Sequence, residues 1–156
     1  MKIIYVHHAE RDKKKKDVTS QEQDITENGI KQAELVAESF KGYANVKAIY
    51  TSPYIRCMHT ATIINKYIKV PIYEEPKFNE MDFDGNEKWV DFQQRNMNAI
   101  DNILNKYSEE DIVICVSSGV NITAFICHAM EINANNENRF CQAGLCSPVT
   151  FHYNDK

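Results

Sequence analysis

The chain has 156 residues, 43% of them hydrophobic and 26% charged. A chain of this length buries roughly 68–70% of its unfolded surface, so one ordinary core suffices, and a disordered tail, a collagen-like fibre and a disulfide-stapled miniprotein are excluded. Its 18 basic and 22 acidic side chains leave a net charge of −4, the reverse of the basic balance that nucleic-acid binders carry.

Residues 2–6 are apolar and β-branched, and read as a short buried strand. Residues 9–24 are almost wholly polar and read as a long surface loop, of a length that compact domains reserve for function or movement. The four lysines at 13–16 read as a solvated charge run within it. Thr26 then predicts a helix N-cap, followed by Ile30, Ala33, Val36, Ala37 and Phe40 at helical spacing and by a stop at Gly42.

A second strand is expected over 46–50. Ser52-Pro53 after it predicts an N-cap and a first helical residue, for a helix running to about residue 67. A short strand over 70–73 and an acidic loop holding Glu74, Glu75, Pro76 and Glu80 come next. Residues 87–107 carry a longer helical pattern, with Trp89, Phe92, Met97, Ile100, Ile103 and Leu104 as core positions. Residues 111–116 read as a strand buried on both faces, leading through Ser117-Ser118-Gly119 into a helix over 121–130, and 149–153 is a last strand.

This β-α-β-α-β-α-β-α-β alternation predicts a three-layer α/β/α sandwich around a mostly parallel sheet. No repeat or linker interrupts it, so one domain over 1–156 is expected. Apolar runs such as 112–116 are too short for a bilayer span, and the apolar start is shorter than a signal-peptide core. The five cysteines, at 57, 115, 127, 141 and 146, form no Cys-x-x-Cys pair and read as reduced thiols in a cytoplasm. Cys141, Cys146, His128 and His152 fit no common zinc spacing, so no metal is expected. His59 and His128 read as packing or surface residues, and the Asn121-Ile122-Thr123 triplet carries no meaning without export.

In a parallel sheet, ligands bind along the edge where the strands' carboxyl ends lie. This chain brings His7, His8 and Glu10 there after the first strand, Thr51, Ser52 and Arg56 after the second, and Ser117, Ser118 and Gly119 after the fourth. Arg56 falls in the first turn of its helix, where side chains lean back toward the N-terminus and over the sheet edge. Two imidazoles, a guanidinium fork and a helix N-terminus make an oxyanion site, with phosphate as the expected ligand.

The motifs at that edge resemble the histidine phosphatase superfamily, the phosphoglycerate-mutase-like family. Its opening Arg-His-Gly, often followed by Glu, appears as His7-His8-Ala9-Glu10. Its Leu-Thr-x-x-Gly-x-x-Gln-Ala stretch appears as Ile25-Thr26-Glu27-Asn28-Gly29-Ile30-Lys31-Gln32-Ala33, and Ser-Pro-x-x-Arg-x-x-x-Thr-Ala is matched in full from Ser52 to Ala61. Glu80 and Gly85 fit a glutamate upstream of a glycine, and Val116-Ser117-Ser118-Gly119 stands where the family has Val-Ser-His-Gly. The resemblance thus runs nearly the length of the chain.

It implies a phosphoglycerate-mutase-like fold and a phospho-His8 intermediate, with His8 as nucleophile, Glu80 as general acid and Arg56 as phosphate clamp. His7 and Ser118 stand where the family places an arginine and a second histidine, so both are expected to face the phosphate, with less charge; Ala9 replaces a glycine. Losing one preorganised charge stabiliser costs roughly 10²–10³ in turnover, and His7 substitutes for the arginine only when protonated. The expectation is therefore a protein that binds a phosphate or phosphomonoester with impaired or absent hydrolysis, as a sensor or regulator. The alternative is an active phosphomonoesterase or phosphohistidine-type phosphatase. No cofactor is expected; the partner is a phosphorylated small molecule or phosphoprotein, not nucleic acid or membrane, and the oligomeric state stays open.

Overall fold

The opening apolar run becomes strand β1 (Lys2–His7), buried at every residue after Lys2. The computed structural model describes residues 1–13, 18–132 and 143–153; three of the four clustered lysines, Lys14 to Lys16, and Cys141 lie outside the described residues. After β1 come α1 (Glu27–Ser39), β2 (Val46–Thr51), α2 (Ile55–Ile68), β3 (Ile72–Glu74), a 3-10 turn (Pro76–Phe78), α3 (Trp89–Leu104), β4 (Ile112–Ser117), α4 (Gly119–Ala129) and β5 (Pro148–His152).

The strands form one sheet in the order β3-β2-β4-β1-β5. The first four are mutually parallel, and β5 runs antiparallel on the β1 edge. Strand period sends alternate residues to opposite faces. Ile4, Val6, Ile49, Ile114 and Val116 therefore pack against Ala33 and Val36 of α1 and Ala61 and Ile64 of α2. Ile3, Tyr5, Val113 and Cys115 pack against Met97, Ile100 and Ile103 of α3 and Ile122 and Phe125 of α4. The result is the expected three layers, with β4 buried at all of its positions.

Thr26 caps α1 as its sequence position predicts, accepting a hydrogen bond from Gly29 N at 2.9 Å. Gly42, just past the helix, takes φ +83°, where a side chain is strained. Other boundaries differ from expectation for identifiable reasons. Ser52 is not the N-cap of α2; Tyr54 occupies that position without a side-chain cap bond. Strand β2 delivers Ser52 into a buried corner, where its hydroxyl donates to Asn79 Oδ1 at 2.9 Å instead. Strand β3 begins at Ile72 rather than at 70, because Asn65 holds both the N–H and the C=O of Val70 through its side-chain amide, and Pro71 has no N–H to donate. The third long helix starts two residues late, since the Glu87 carboxylate accepts from Arg95 Nε at 2.6 Å outside the helix. Loop 9–24 is not free surface throughout: Ala9 is fully buried, and Arg11 forms an antiparallel bridge with Ile25.

Register places the site. His7 pairs with Ser117 across β1 and β4, and Thr51 pairs with Val116 across β2 and β4. The residues that follow, His8, Ser52 and Ser118, thus leave the sheet side by side. Among the described residues, no helix is long and apolar enough to cross a membrane.

Candidate functional site

His8 leaves β1 with its backbone N–H still bonded to Ser117 O at 2.8 Å, which fixes where its ring stands. Its Nδ1 lies 2.7 Å from Ala9 O. A carbonyl only accepts, so Nδ1 carries the proton and Nε2 a lone pair. That lone pair accepts from Arg56 Nε–H at 3.0 Å. Burial, then the neighbouring His7 ring, pushes the His8 pKa down to about 3. At neutral pH His8 is an uncharged imidazole with its lone pair on Nε2.

Arg56 sits in the first turn of α2 and has no exposed surface. A buried cation is tolerated only when paired and hydrogen-bonded. Besides its bond to His8, its Nη1 donates to Ser20 O at 2.5 Å and its Nη2 to Glu80 Oε2 at 2.8 Å. Thr60, one turn along, donates to Arg56 O at 2.7 Å and accepts from Ala9 N at 3.1 Å. This hydroxyl ties α2 to the loop after β1 and so fixes the guanidinium relative to the imidazole.

Glu80 follows the 3-10 turn, and its backbone is held by Arg95 from α3, which also donates to Lys77 O and to Asn79 O. The same Oε2 that takes Arg56 lies 3.9 Å from Arg11 Nη1. A cavity of about 460 Å³ opens over His7, His8, Arg11, Lys13 and Glu80. It adjoins a larger one of about 950 Å³ bounded by Tyr54, Asp82, Asp84, Glu87 and Arg95, with Arg11 and Glu80 on the wall common to both.

Two predicted residues are placed differently from a charged clamp. The His7 ring stands edge-on to His8, 4.6 Å between centroids, and its Nδ1–H donates to Ala143 O at 2.8 Å. Burial is the chief cause of a lowered His7 pKa, so His7 supplies no cation at neutral pH. Ser118 is buried, and its hydroxyl donates to Asn121 Oδ1 at 2.5 Å, within the start of α4. It lines neither cavity. The structure therefore brings His7, His8, Arg56 and Glu80 together and turns the Ser118 side chain toward Asn121.

Sequence reasoning missed Arg11, Ser20, Arg95 and Asn121. Arg11 had one available signal, its place directly after the His8-Ala9-Glu10 motif. Arg95 and Asn121 had none, because they reach the site from helix positions that look ordinary in sequence. Asn121 Nδ2 bonds Asn96 Oδ1 at 2.8 Å and the carbonyls of Phe78 and Asn79, each at 3.2 Å, bracing the segment before Glu80. Among the described residues, no group of three or more His, Cys, Asp or Glu side chains is placed to hold a metal ion.

A family model described as the histidine phosphatase superfamily (branch 1) matches residues 3–88 and 82–156. No curated protein matches the chain. Among solved structures, YhfR of Bacillus stearothermophilus is similar at a TM-score of 0.84 and 18% identity, covering 98% of this chain and 91% of that one. A mutant phosphoserine phosphatase of Entamoeba histolytica in complex with phosphoserine is similar at 0.82 and 20%, covering 98% and 91%. A mycobacterial glucosyl-3-phosphoglycerate phosphatase complexed with VO3 is similar at 0.79 and 16%, covering 96% and 90%. At these identities the likeness is one of fold.

Proposed function

The chain belongs to the histidine phosphatase superfamily, and on that footing we propose that it binds a phosphate or phosphomonoester through His8 and Arg56 and hydrolyses it weakly or not at all, in a sensor or regulatory role. The observation that carries the reading is the unbroken chain His8 Nε2, Arg56, Glu80 Oε2, at 3.0 and 2.8 Å. It sets a neutral imidazole and a carboxyl group on the cavity wall, with a fully buried cation bonded to both behind them.

The reaction this geometry supports is a double displacement. The His8 Nε2 lone pair forms an N–P bond as the P–O ester bond breaks, and Glu80, an anion in the empty site, takes the proton that a phosphomonoester monoanion brings in and passes it to the departing oxygen. Water then attacks the phosphohistidine, Glu80 takes a proton from it, and the N–P bonding pair returns to His8 as phosphate leaves. Phosphoryl transfer depends on positioning and charge. An uncharged His7 and a Ser118 hydroxyl bonded to Asn121 weaken the charge side, which supports slow turnover. Effects within one site are non-additive, so the two do not multiply.

The second reading, an active phosphomonoesterase or phosphohistidine-type phosphatase, draws support from the same assembled nucleophile, cation and acid. A phosphorylated small molecule or phosphoprotein is the proposed partner in either case. Similar folds have been captured with phosphoserine and with 3-phosphoglyceric acid, which supports a small phosphate-bearing ligand. Family matches that run from residue 3 to residue 156 support a single domain, and the buried free thiols of Cys57, Cys115, Cys127 and Cys146 support a reducing cytoplasm.

Hydrolysis of p-nitrophenyl phosphate by the wild type and by His8→Ala tests the reading. Trace turnover that His8→Ala abolishes, together with thermal stabilisation by orthovanadate, is expected. Ready turnover lost in the variant favours the active phosphatase, and no stabilisation by millimolar vanadate contradicts both.

A further inference from the structure

We propose that Arg11 is a second oxyanion-binding guanidinium of this site, supplying from the loop after β1 the positive charge that His7 does not provide. The proposal rests on the phosphate-binding reading above and names the cation that offsets the site's carboxylates.

Two guanidinium groups converge on one oxygen. Glu80 Oε2 accepts from Arg56 Nη2 at 2.8 Å and lies 3.9 Å from Arg11 Nη1. Glu80 is the anion that these two cations share in the empty site, and an oxygen of a bound phosphate would meet the same pair of donors. Both cavities are walled by Arg11, and its charge helps keep His8 unprotonated.

Charge arithmetic makes Arg11 decisive. His7 and His8 are uncharged at neutral pH. Arg56 and Glu80 cancel. Glu10 lines the same cavity, its carboxylate accepting from Thr26 Oγ1 at 2.7 Å and Asn28 Nδ2 at 3.2 Å. Without Arg11 that carboxylate is unopposed and a phosphate dianion meets net negative charge; Arg11 brings the sum to zero. Lys13 also borders the cavity but is exposed at the rim, where solvent screens its charge.

Arg11 is also held in place, unlike a loose surface arginine. Its backbone is bridged to Ile25, and the bonds Asp12 N to Asp24 O at 2.8 Å and Thr26 N to Glu10 O at 2.9 Å flank it. Its Nη1 donates to Ser20 Oγ at 2.9 Å, and Ser20 O in turn receives Arg56 Nη1 at 2.5 Å. One residue thus orients both guanidinium groups. An arginine has five donors in a planar fork, and both named side-chain contacts of Arg11 are made through Nη1, which suits the fork to a multidentate oxyanion.

Titration calorimetry with orthovanadate and with inorganic phosphate provides the test, using wild type, Arg11→Ala, Arg11→Lys, Arg56→Ala, the double variant His7→Arg/Arg11→Ala, and Lys41→Ala. Lys41→Ala removes the same unit of charge from the far end of α1, where Lys41 pairs with Glu38. The expected result is a Kd raised about tenfold or more by Arg11→Ala, a smaller rise for Arg11→Lys, recovery in the double variant, and no change for Lys41→Ala. Unchanged affinity in Arg11→Ala beside lost affinity in Arg56→Ala overturns the role of Arg11 and leaves the site reading standing. An equal loss in Lys41→Ala shows a mere net-charge effect and also overturns it. A wild type that binds neither anion, or an Arg56→Ala variant that binds both normally, overturns the site reading and this inference with it. Unliganded melting temperatures of each variant separate lost binding from lost folding.

Discussion

Arg56 aims its Nε–H at the Nε2 lone pair of His8 across 3.0 Å. The bond matches the tautomer set by Ala9 O, while burial, then the His7 ring and lastly the arginine charges keep the imidazole unprotonated. In the proposed reaction this bond also covers the attacking atom, so an incoming phosphoryl group would compete with the guanidinium for Nε2, and Arg56 would leave His8 as its donors pass to phosphate oxygens.

Stability should fall in acid for a reason located at this pair. The pKa of His8 is lowered from 6.5 to about 3 in the folded protein, so the unfolded chain binds more protons between those values. The contribution of a neutral His8 is present above pH 6.5 and is lost as pH drops toward about 3. Thermal unfolding from pH 7 to pH 4 should show a falling midpoint, and His8→Gln should flatten part of that fall. Parallel pH curves for the two proteins would refute the assigned burial cost.

Arg56→Ala should lose anion binding and also destabilise the fold by about 2–4 kcal/mol, because it strands a buried imidazole acceptor and part of an ion pair. Glu80 retains some contact with solvent, which keeps the cost below that of a fully enclosed pair. Urea titration measures the loss, and a change under 1 kcal/mol would mean that the guanidinium is not structural.

Glu80→Gln should move binding and turnover in opposite directions. Removing the internal anion frees both arginines for ligand and should tighten vanadate binding roughly threefold to tenfold. Removing the proton donor should at the same time abolish any hydrolysis of p-nitrophenyl phosphate. Weaker vanadate binding in this variant would show that Glu80 positions the arginines rather than competing for them.

Much of this arrangement was legible in sequence, and the legible parts share a cause. Residues 2–6, 112–116 and the Thr26 cap act through local pattern, which a single chain displays directly. Arg56, Thr60 and Ala9 could be ordered along one motif series, and the hydroxyl of Thr60 proves to be the link between its two halves. Ser52 misled because α2 begins only at Ile55: the Ser52 hydroxyl donates to Asn79 Oδ1, 27 residues away, and accepts only a long bond from Tyr54 N at 3.4 Å. Arg11 stayed hidden because polarity marked its loop as solvent-facing, while the bridge to Ile25 that turns it inward is a tertiary contact. Arg95 and Asn121 act on the site through carbonyls of residues 77–80, and side-chain bonds to backbone leave no trace in residue type.

Gly29 illustrates a constraint that the motif carries without chemistry. A Cβ there would stand 2.6 Å from Glu10 O, in the segment that presents Arg11. Gly29→Ala should cost about 1–3 kcal/mol and should weaken vanadate binding by displacing that segment. Chemical denaturation beside calorimetry checks both, and an unaffected variant would mean that the loop moves aside freely.

Restoring charge should raise turnover. His7→Arg with Ser118→His should increase p-nitrophenyl phosphate hydrolysis by about 10²-fold, with the increase abolished by His8→Ala. Absence of any gain would place the limit elsewhere, in the cavity walls formed by Thr19, Ser20, Gln21 and the segment after Pro76.

The most direct test of the shared oxyanion site is a crystal structure of the protein with orthovanadate. Vanadium is expected bonded to His8 Nε2, with Arg56 turned from that nitrogen onto vanadate oxygens. A vanadate seated elsewhere, with His8 and Arg56 still bonded to each other, would contradict it.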